Sequence, residues 1–175
     1  MFYDLYVDLL DSDPAIWRQL RLRSTLGLAE LHRILIATMG WSGLRDYTFR
    51  SLGSAPAADD LTGTTPLDQL LSRQGDGLLY IYDAARGWRH KIILESILTL
   101  PAESDQGSVL CLAGEGSGPP EFCEGVWGYG ELLERLNDHD DPEYDQLWQQ
   151  VGYDFDPYAF NLDTLNQQLR GMPWL

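Results

Sequence analysis

Tyr3, Leu5, Val7 and Leu9 alternate with Asp4, Tyr6 and Asp8, and this strict period of two constrains the fold more than any other feature of the chain. The turn chemistry of Asp11-Ser12-Asp13-Pro14 follows, and then Ile16, Leu20 and Leu22 alternate with Trp17, Gln19, Arg21 and Arg23. The two runs predict an antiparallel hairpin with one apolar face. Its other face sets the acids of the first strand beside the arginines of the second, each pair contributing roughly 0.2–1 kcal/mol.

A helix is expected next, capped by Ser24 or Thr25. Leu28, Leu31, Leu35, Ile36 and Met39 form its apolar stripe and Gly40 stops it. His32 borders that stripe and reads as a buried, hydrogen-bonded histidine. Tyr47–Leu52 predicts a third strand, residues 54–64 a mobile loop, and Thr65-Pro66 the start of a short helix through Leu71. A second hairpin is expected from strands Leu78–Asp83 and Trp88 to about Leu98. Trp88, His90, Ile92 and Leu94 share one face of its return strand.

From Pro101 to Gly130 the chain is rich in glycine, with three prolines and both cysteines. It reads as a long Pro/Gly-rich loop, and Val109, Leu110, Phe122, Val126, Trp127 and Tyr129 argue that it is pinned to the body. Helices over about 129–137, 142–151 and 162–170 complete the chain, with Asp141-Pro142 and Asp156-Pro157 as cap and first-turn pairs. The expected class is α+β. It is a single compact domain over residues 1–175, mostly antiparallel hairpins forming a sheet packed by helices, with an acidic helical segment at about 129–171.

Charge narrows the function. The formal net charge is −15 over 175 residues. Residues 1–50 carry six basic and six acidic side chains, residues 51–100 four and six, and residues 101–175 two and fifteen. Such a field disfavours direct binding to duplex DNA. The arginines at 18, 21, 23 and 33 are the one local exception, and they read as solvated faces paired with nearby acids. Aromatic residues do not interleave with a basic patch as single-strand binders need. Gly114-x-Gly116-x-Gly118 runs into two prolines and makes a poor phosphate cradle. The run from Asp138 to Asp141 with Glu143 and Asp145 reads as a solvated acidic helix start. No apolar run approaches membrane-spanning length and no secretory signal is visible, so a cytoplasmic protein without membrane contact is expected. Cys111 and Cys123 lack a Cys-x-x-Cys spacing and are expected as free thiols.

Four segments together carry a family resemblance: Pro14-x-Ile16-Trp17-Arg18, Leu31-His32 with Gly40-Trp41, Tyr82-Asp83 with Trp88-x-His90, and Pro119-Pro120-Glu121 followed by Gly125 and Gly128-Tyr129. In order and spacing the chain resembles the Ri-plasmid open-reading-frame-three-like family over roughly residues 3–170. That family is also described as an insertion-element passenger resembling the TnpR resolvase. The resemblance implies one compact α+β domain and little about activity, and the serine and arginine cluster of a true serine resolvase cannot be located here. Three polar positions depart from the family pattern. Ala84-Ala85-Arg86-Gly87 replaces Phe-Gly-Asp, Phe122 replaces an aspartate, and Ser42 to Asp46 lacks a histidine.

The chemistry-bearing residues converge, on this reading, where the second hairpin meets the Pro-Gly-rich loop. Asp83, His90 and Glu121, with Cys111 or Cys123, would lie among Trp41, Tyr82 and Trp88. Such a set can hold a metal or perform acid–base catalysis. Against it, Asp83 and His90 can simply brace the hairpin turn while Glu121 satisfies backbone amides. No metal and no cofactor are expected. The leading expectation is a binding or interaction module of a mobile-element-associated family, with protein or small-molecule partners. Its surface would form from Trp41, Trp88 and the Pro119–Tyr129 loop, with Trp127 in it. The alternatives are a small-molecule- or metal-dependent enzyme using Asp83, His90 and Glu121, and an acidic decoy for a nucleic-acid-binding protein.

Overall fold

The opening alternation folds into the hairpin it predicts. In the computed structural model, which describes residues 1–53, 61, 63–99 and 109–172, β1 (Phe2–Leu9) pairs antiparallel with β2 (Trp17–Arg23). Leu5, Val7 and Leu9 are buried with Ile16, Leu20 and Leu22. On the opposite face Arg21 lies across from Asp4 and donates to both of its carboxylate oxygens, at 2.7 and 2.8 Å. The strands β3 (Tyr47–Ser51), β4 (Gly77–Tyr82) and β5 (Trp88–Leu98) extend the sheet on one side of β1, and β6 (Val109–Glu115) extends it beyond β2. All pairings are antiparallel, in the order β3-β4-β5-β1-β2-β6.

Strand β6 corrects the expectation of a continuous loop from Pro101 to Gly130. Val109 and Cys111 are buried and lie opposite Leu22 and Leu20. The run is short and ends in glycines, so its composition hides the alternation. What forms it is the free side of β2, whose backbone N–H and C=O groups need partners. Residues 101–108 of that expected loop lie outside the described residues, as do 54–60 and 62 of the mobile loop expected over 54–64.

The helices follow the sequence with shifted starts. Helix α1 (Leu28–Met39) is capped by Gly27 rather than by Ser24 or Thr25. Ser24 still donates its N–H to Met1 O, continuing the β2 pairing, so the chain turns only afterwards. Glu30 then reaches back to accept the Gly27 N–H at 2.6 Å. Helix α2 (Leu67–Leu70) is one turn long, and α3 (Gly125–Asn137) begins four residues earlier than the expected helix. Helices α4 (Tyr144–Val151) and α5 (Leu162–Arg170) match their predicted ends. The cap of α5 is Asn161, whose side chain accepts the Thr164 N–H, while Asp156 folds a turn upstream by accepting the Tyr158 N–H. Among the described residues no helix is long and apolar enough to cross a membrane.

Two polar residues tie the sheet to its helices. Arg18 lies in the inward phase of β2, opposite Val7, and is only 2% exposed. It therefore does not join the exposed arginine patch the sequence left open. Its guanidinium donates to the carbonyls of Trp17, Glu115 and Gly116 at 2.7–2.8 Å and to Thr38 O at 3.3 Å, and it lies over the Phe160 ring. Thr38 is in the last turn of α1, so a buried cation caps the negative end of that helix. Burial pushes the Arg18 pKa down to about 10. Across the molecule, Asn166 of α5 donates to Cys111 O and accepts the Cys111 N–H, both at 2.8 Å. Its amide thus occupies one position on the outer edge of β6.

Candidate functional site

Gly40 ends α1 with a left-handed backbone, φ 71°, and turns the chain so that Trp41 packs back under it. The Trp41 indole donates to Pro119 O at 2.8 Å. Next to that bond Gly118 lies against the Met39 carbonyl, where any side chain would collide. These two contacts hold the post-α1 turn and the Pro119-Pro120-Glu121 segment against each other. Glu121 completes the joint. It accepts from the Ser42 N–H at 2.7 Å, the Ser42 hydroxyl at 2.9 Å and the Tyr82 hydroxyl at 2.6 Å. Partial burial works to raise its pKa, but the donors from Tyr82 and Ser42 together outweigh it and hold the carboxyl below its ordinary range.

Behind this joint lies an aromatic stack. Trp41 is parallel to Tyr82 with centroids 5.1 Å apart, tilted against Trp88 at 5.2 Å and edge-on to His90 at 5.6 Å. Tyr82, Trp88 and His90 are fully buried. Among the described residues neither ring nitrogen of His90 has a well-formed hydrogen bond, although the nearby Trp88 backbone weakly favours the charged ring. Burial, aided by the Arg18 charge, pushes its pKa down to about 3. His32, on α1, behaves as a core histidine: its Nδ1 lies 2.7 Å from the Tyr80 hydroxyl and its ring stacks on Tyr47 at 3.7 Å. Burial lowers its pKa to about 4.

Asp83 closes the β4–β5 turn with a positive φ of 51°. Its carbonyl accepts from the N–H groups of Arg86 and Gly87. Its carboxylate accepts from the Arg86 guanidinium at 2.7 Å, and Arg45 approaches to 3.8 Å. Burial opposes its ionisation, yet the arginine contacts prevail and keep the group below the usual carboxylate range. Arg86 reaches on to Glu124 at 3.3 Å.

The fold therefore brings Trp41, Tyr82 and Glu121 into direct contact with Trp88 beside them, and sets Asp83 next to them through Arg45. It leaves His90 in the core beneath Trp41, away from solvent. Trp127 stands apart, projecting from α3 with 84% exposure. Cys111 and Cys123 are free and buried, and burial raises both thiols to about 11. Among the described residues no group of three His, Cys, Asp or Glu side chains is placed to hold a metal ion. Ser42, Leu44, Arg45, Pro120, Glu121 and Phe122 line an open surface groove of about 610 Å³ above the joint. Ser42 and Leu44 escape sequence reasoning because their role depends on Glu121, 79 residues away from Ser42.

The plasmid pRiA4b ORF-3-like family profile matches residues 1–164. The chain belongs to that family. An uncharacterized protein of Sinorhizobium fredii, y4hQ, is 34% identical over 174 residues, covering 93% of this chain and 88% of the relative. The crystal structure of MM3350 from Methanosarcina mazei Go1, a protein of unknown function, superposes with a TM-score of 0.82 at 27% identity, over 93% of this chain and 96% of that one. In this pRiA4b ORF-3-like protein the three stretches that the resemblance set apart, Ser42 to Asp46, Ala84 to Gly87 and Phe122, lie in one neighbourhood. Ser42 binds Glu121, Phe122 follows Glu121 into the groove, and Arg86 clamps Asp83.

Proposed function

We propose that this pRiA4b ORF-3-like protein is a non-catalytic protein-interaction module whose contact surface is the rim of the Glu121 groove. The observation that carries the reading is a contrast in exposure at one joint. Leu44 is 86% exposed and Phe122 is 41% exposed on segments pinned by the Glu121 hydrogen bonds, so apolar side chains are held out in water on a rigid support. Trp127 adds an exposed aromatic anchor on α3. Trp41, Tyr82 and Trp88 act as the foundation of that rim rather than as contact residues.

The enzyme reading has less support. The carboxylates of Asp83 and Glu121 are already engaged by Arg86, Ser42 and Tyr82, and the His90 ring has no access to solvent. The test is affinity capture from cell extract with wild type and with the triple variant Leu44→Ser, Phe122→Ser, Trp127→Ser. A discrete protein retained by wild type and lost from the variant, with both folded by circular dichroism, supports the module. Equal retention by the two sinks it. A stoichiometric small-molecule adduct in native mass spectrometry that disappears in Glu121→Gln would instead favour the enzyme reading.

A further inference from the structure

A second, separate surface lies on the C-terminal helices. Leu133 and Leu136 of α3, Trp148 of α4, and Phe155, Pro157 and Tyr158 of the segment before α5 line an apolar groove of about 250 Å³. It shares no lining residue with the Glu121 rim. The floor is fixed, because the Trp148 indole donates to Leu136 O at 3.2 Å and the 155–158 segment is tied down through Ser117, which donates to Asp156 O at 2.6 Å. The mouth is open, and Tyr158 stands at it with 73% exposure. The volume falls short of the roughly 300–1,000 Å³ of small-molecule pockets and suits a few apolar side chains inserted from a polypeptide.

The surroundings choose the kind of polypeptide. Glu134, Asp138, Asp154 and Asp156 lie on or beside the lining segments and are exposed. One of the two basic residues of the C-terminal 75, Arg135, is already bound to Asp141 at 2.8 Å and to Glu143 at 2.5 Å. An apolar floor with Asp156 in its lining and exposed acids on the segments that form it is complementary to a helix with Leu- or Phe-type residues on one face and Lys or Arg on the other, and repels nucleic acid and anionic lipid. We infer that this groove docks a basic amphipathic helical segment of a partner protein. The charge attracts the segment and the apolar floor selects its amphipathic face.

The probe is a fluorescent synthetic helix of Leu and Lys arranged at helical period, with a scrambled peptide of the same composition as control, both titrated by anisotropy against the full chain. The amphipathic peptide is expected to bind at least about tenfold more tightly than the scrambled one. Its affinity should fall steeply between ~0.05 and ~0.5 M salt. The double variant Leu133→Gln, Tyr158→Gln should lose that preference while keeping its fold. The pair Asp138→Asn, Asp154→Asn should flatten the salt dependence. The Leu44→Ser, Phe122→Ser, Trp127→Ser variant should bind the peptide as wild type does, which separates this groove from the Glu121 rim. Equal binding of the two peptides, or undiminished preference in Leu133→Gln, Tyr158→Gln, overturns the inference. So does concentration-dependent self-association abolished by that same variant, since the groove would then hold a second copy of this chain.

Discussion

The Tyr82 hydroxyl donates to Glu121 Oε1 at 2.6 Å, joining the end of β4 to the Pro-Pro-Glu segment across 39 residues of sequence. Because Glu121 also takes two hydrogen bonds from Ser42, this one carboxylate locks three segments together. Tyr82→Phe removes one donor and should cost about 1 kcal/mol. Glu121→Ala leaves the Ser42 N–H and two hydroxyls without their acceptor and should cost roughly 2–3 kcal/mol. Urea unfolding followed by tryptophan fluorescence reads both. A loss for Glu121→Ala no greater than for Tyr82→Phe would show that the joint does not act as a unit.

Acid should weaken the protein through its two core histidines. His32 and His90 have pKa values of about 4 and about 3 in the fold, both below the ordinary value of 6.5, because burial disfavours the charged ring. The unfolded chain therefore binds more protons than the folded one below about pH 6.5. Stability is fully present above that pH, falls as pH drops, and levels off only below the folded values. The total loss should be a few kcal/mol. His90→Leu is expected to fold about as stably as wild type at neutral pH, since the neutral ring is held chiefly by packing in a fully buried site, and to remove a large part of the acid sensitivity. Unfolding midpoints between pH 7 and pH 4 decide this, and an unchanged acid slope in His90→Leu would falsify it.

Arg18 satisfies four carbonyl acceptors from β2, α1 and the end of β6. Arg18→Met keeps the stem and removes every donor, so it should cost about 3 kcal/mol or more and loosen the α1 C-terminus. Arg18→Lys should rescue only part, because one ammonium cannot span the fork. Hydrogen exchange at the end of α1 and the start of Gly116–Gly118 is the readout. Full rescue by Arg18→Lys, to wild-type stability, would mean that charge, not the fork, is what the site uses.

The outer edge of β6 offers another test. Asn166→Ala leaves the Cys111 N–H and C=O without their side-chain partner and should cost roughly 1–3 kcal/mol. The freed edge should also raise the tendency to self-associate, measurable by light scattering on gentle heating. A monodisperse variant of wild-type stability would remove the edge-guarding role.

Much of this fold was legible because its hydrophobic periods are local. The alternations at Tyr3–Leu9, Leu78–Tyr82 and Trp88–Leu94 and the helical stripe from Leu28 to Met39 report directly on which face is buried. Strand β6 was not legible, since it exists by filling the edge of β2 and Val109–Ala113 is a short continuous apolar run that shows no period of two. Arg18 carried a signal that hydrophobicity alone discards: it falls in the inward phase of Ile16, Leu20 and Leu22, where a charged residue must find partners. At the candidate site, the cluster of Trp41, Tyr82, Trp88 and Glu121 came through as neighbours. Which of them reach solvent did not, because exposure there depends on how Pro119 and Ser42 cross over, a contact between segments about 78 residues apart.

At Glu115, Gly116 and Pro119 the clasp around residues 115–121 is fastened through main-chain atoms. Arg18 grips the carbonyls of Glu115 and Gly116, and Trp41 grips that of Pro119. Such fastenings are blind to the identity of the side chains they hold in place. Phe122, whose side chain makes none of these bonds, can change without loosening the frame, as long as Arg18, Trp41, Ser117, Glu121 and the side-chain-free Gly118 stay. This makes the strip well suited to diversify what it meets while the architecture beneath it remains unchanged.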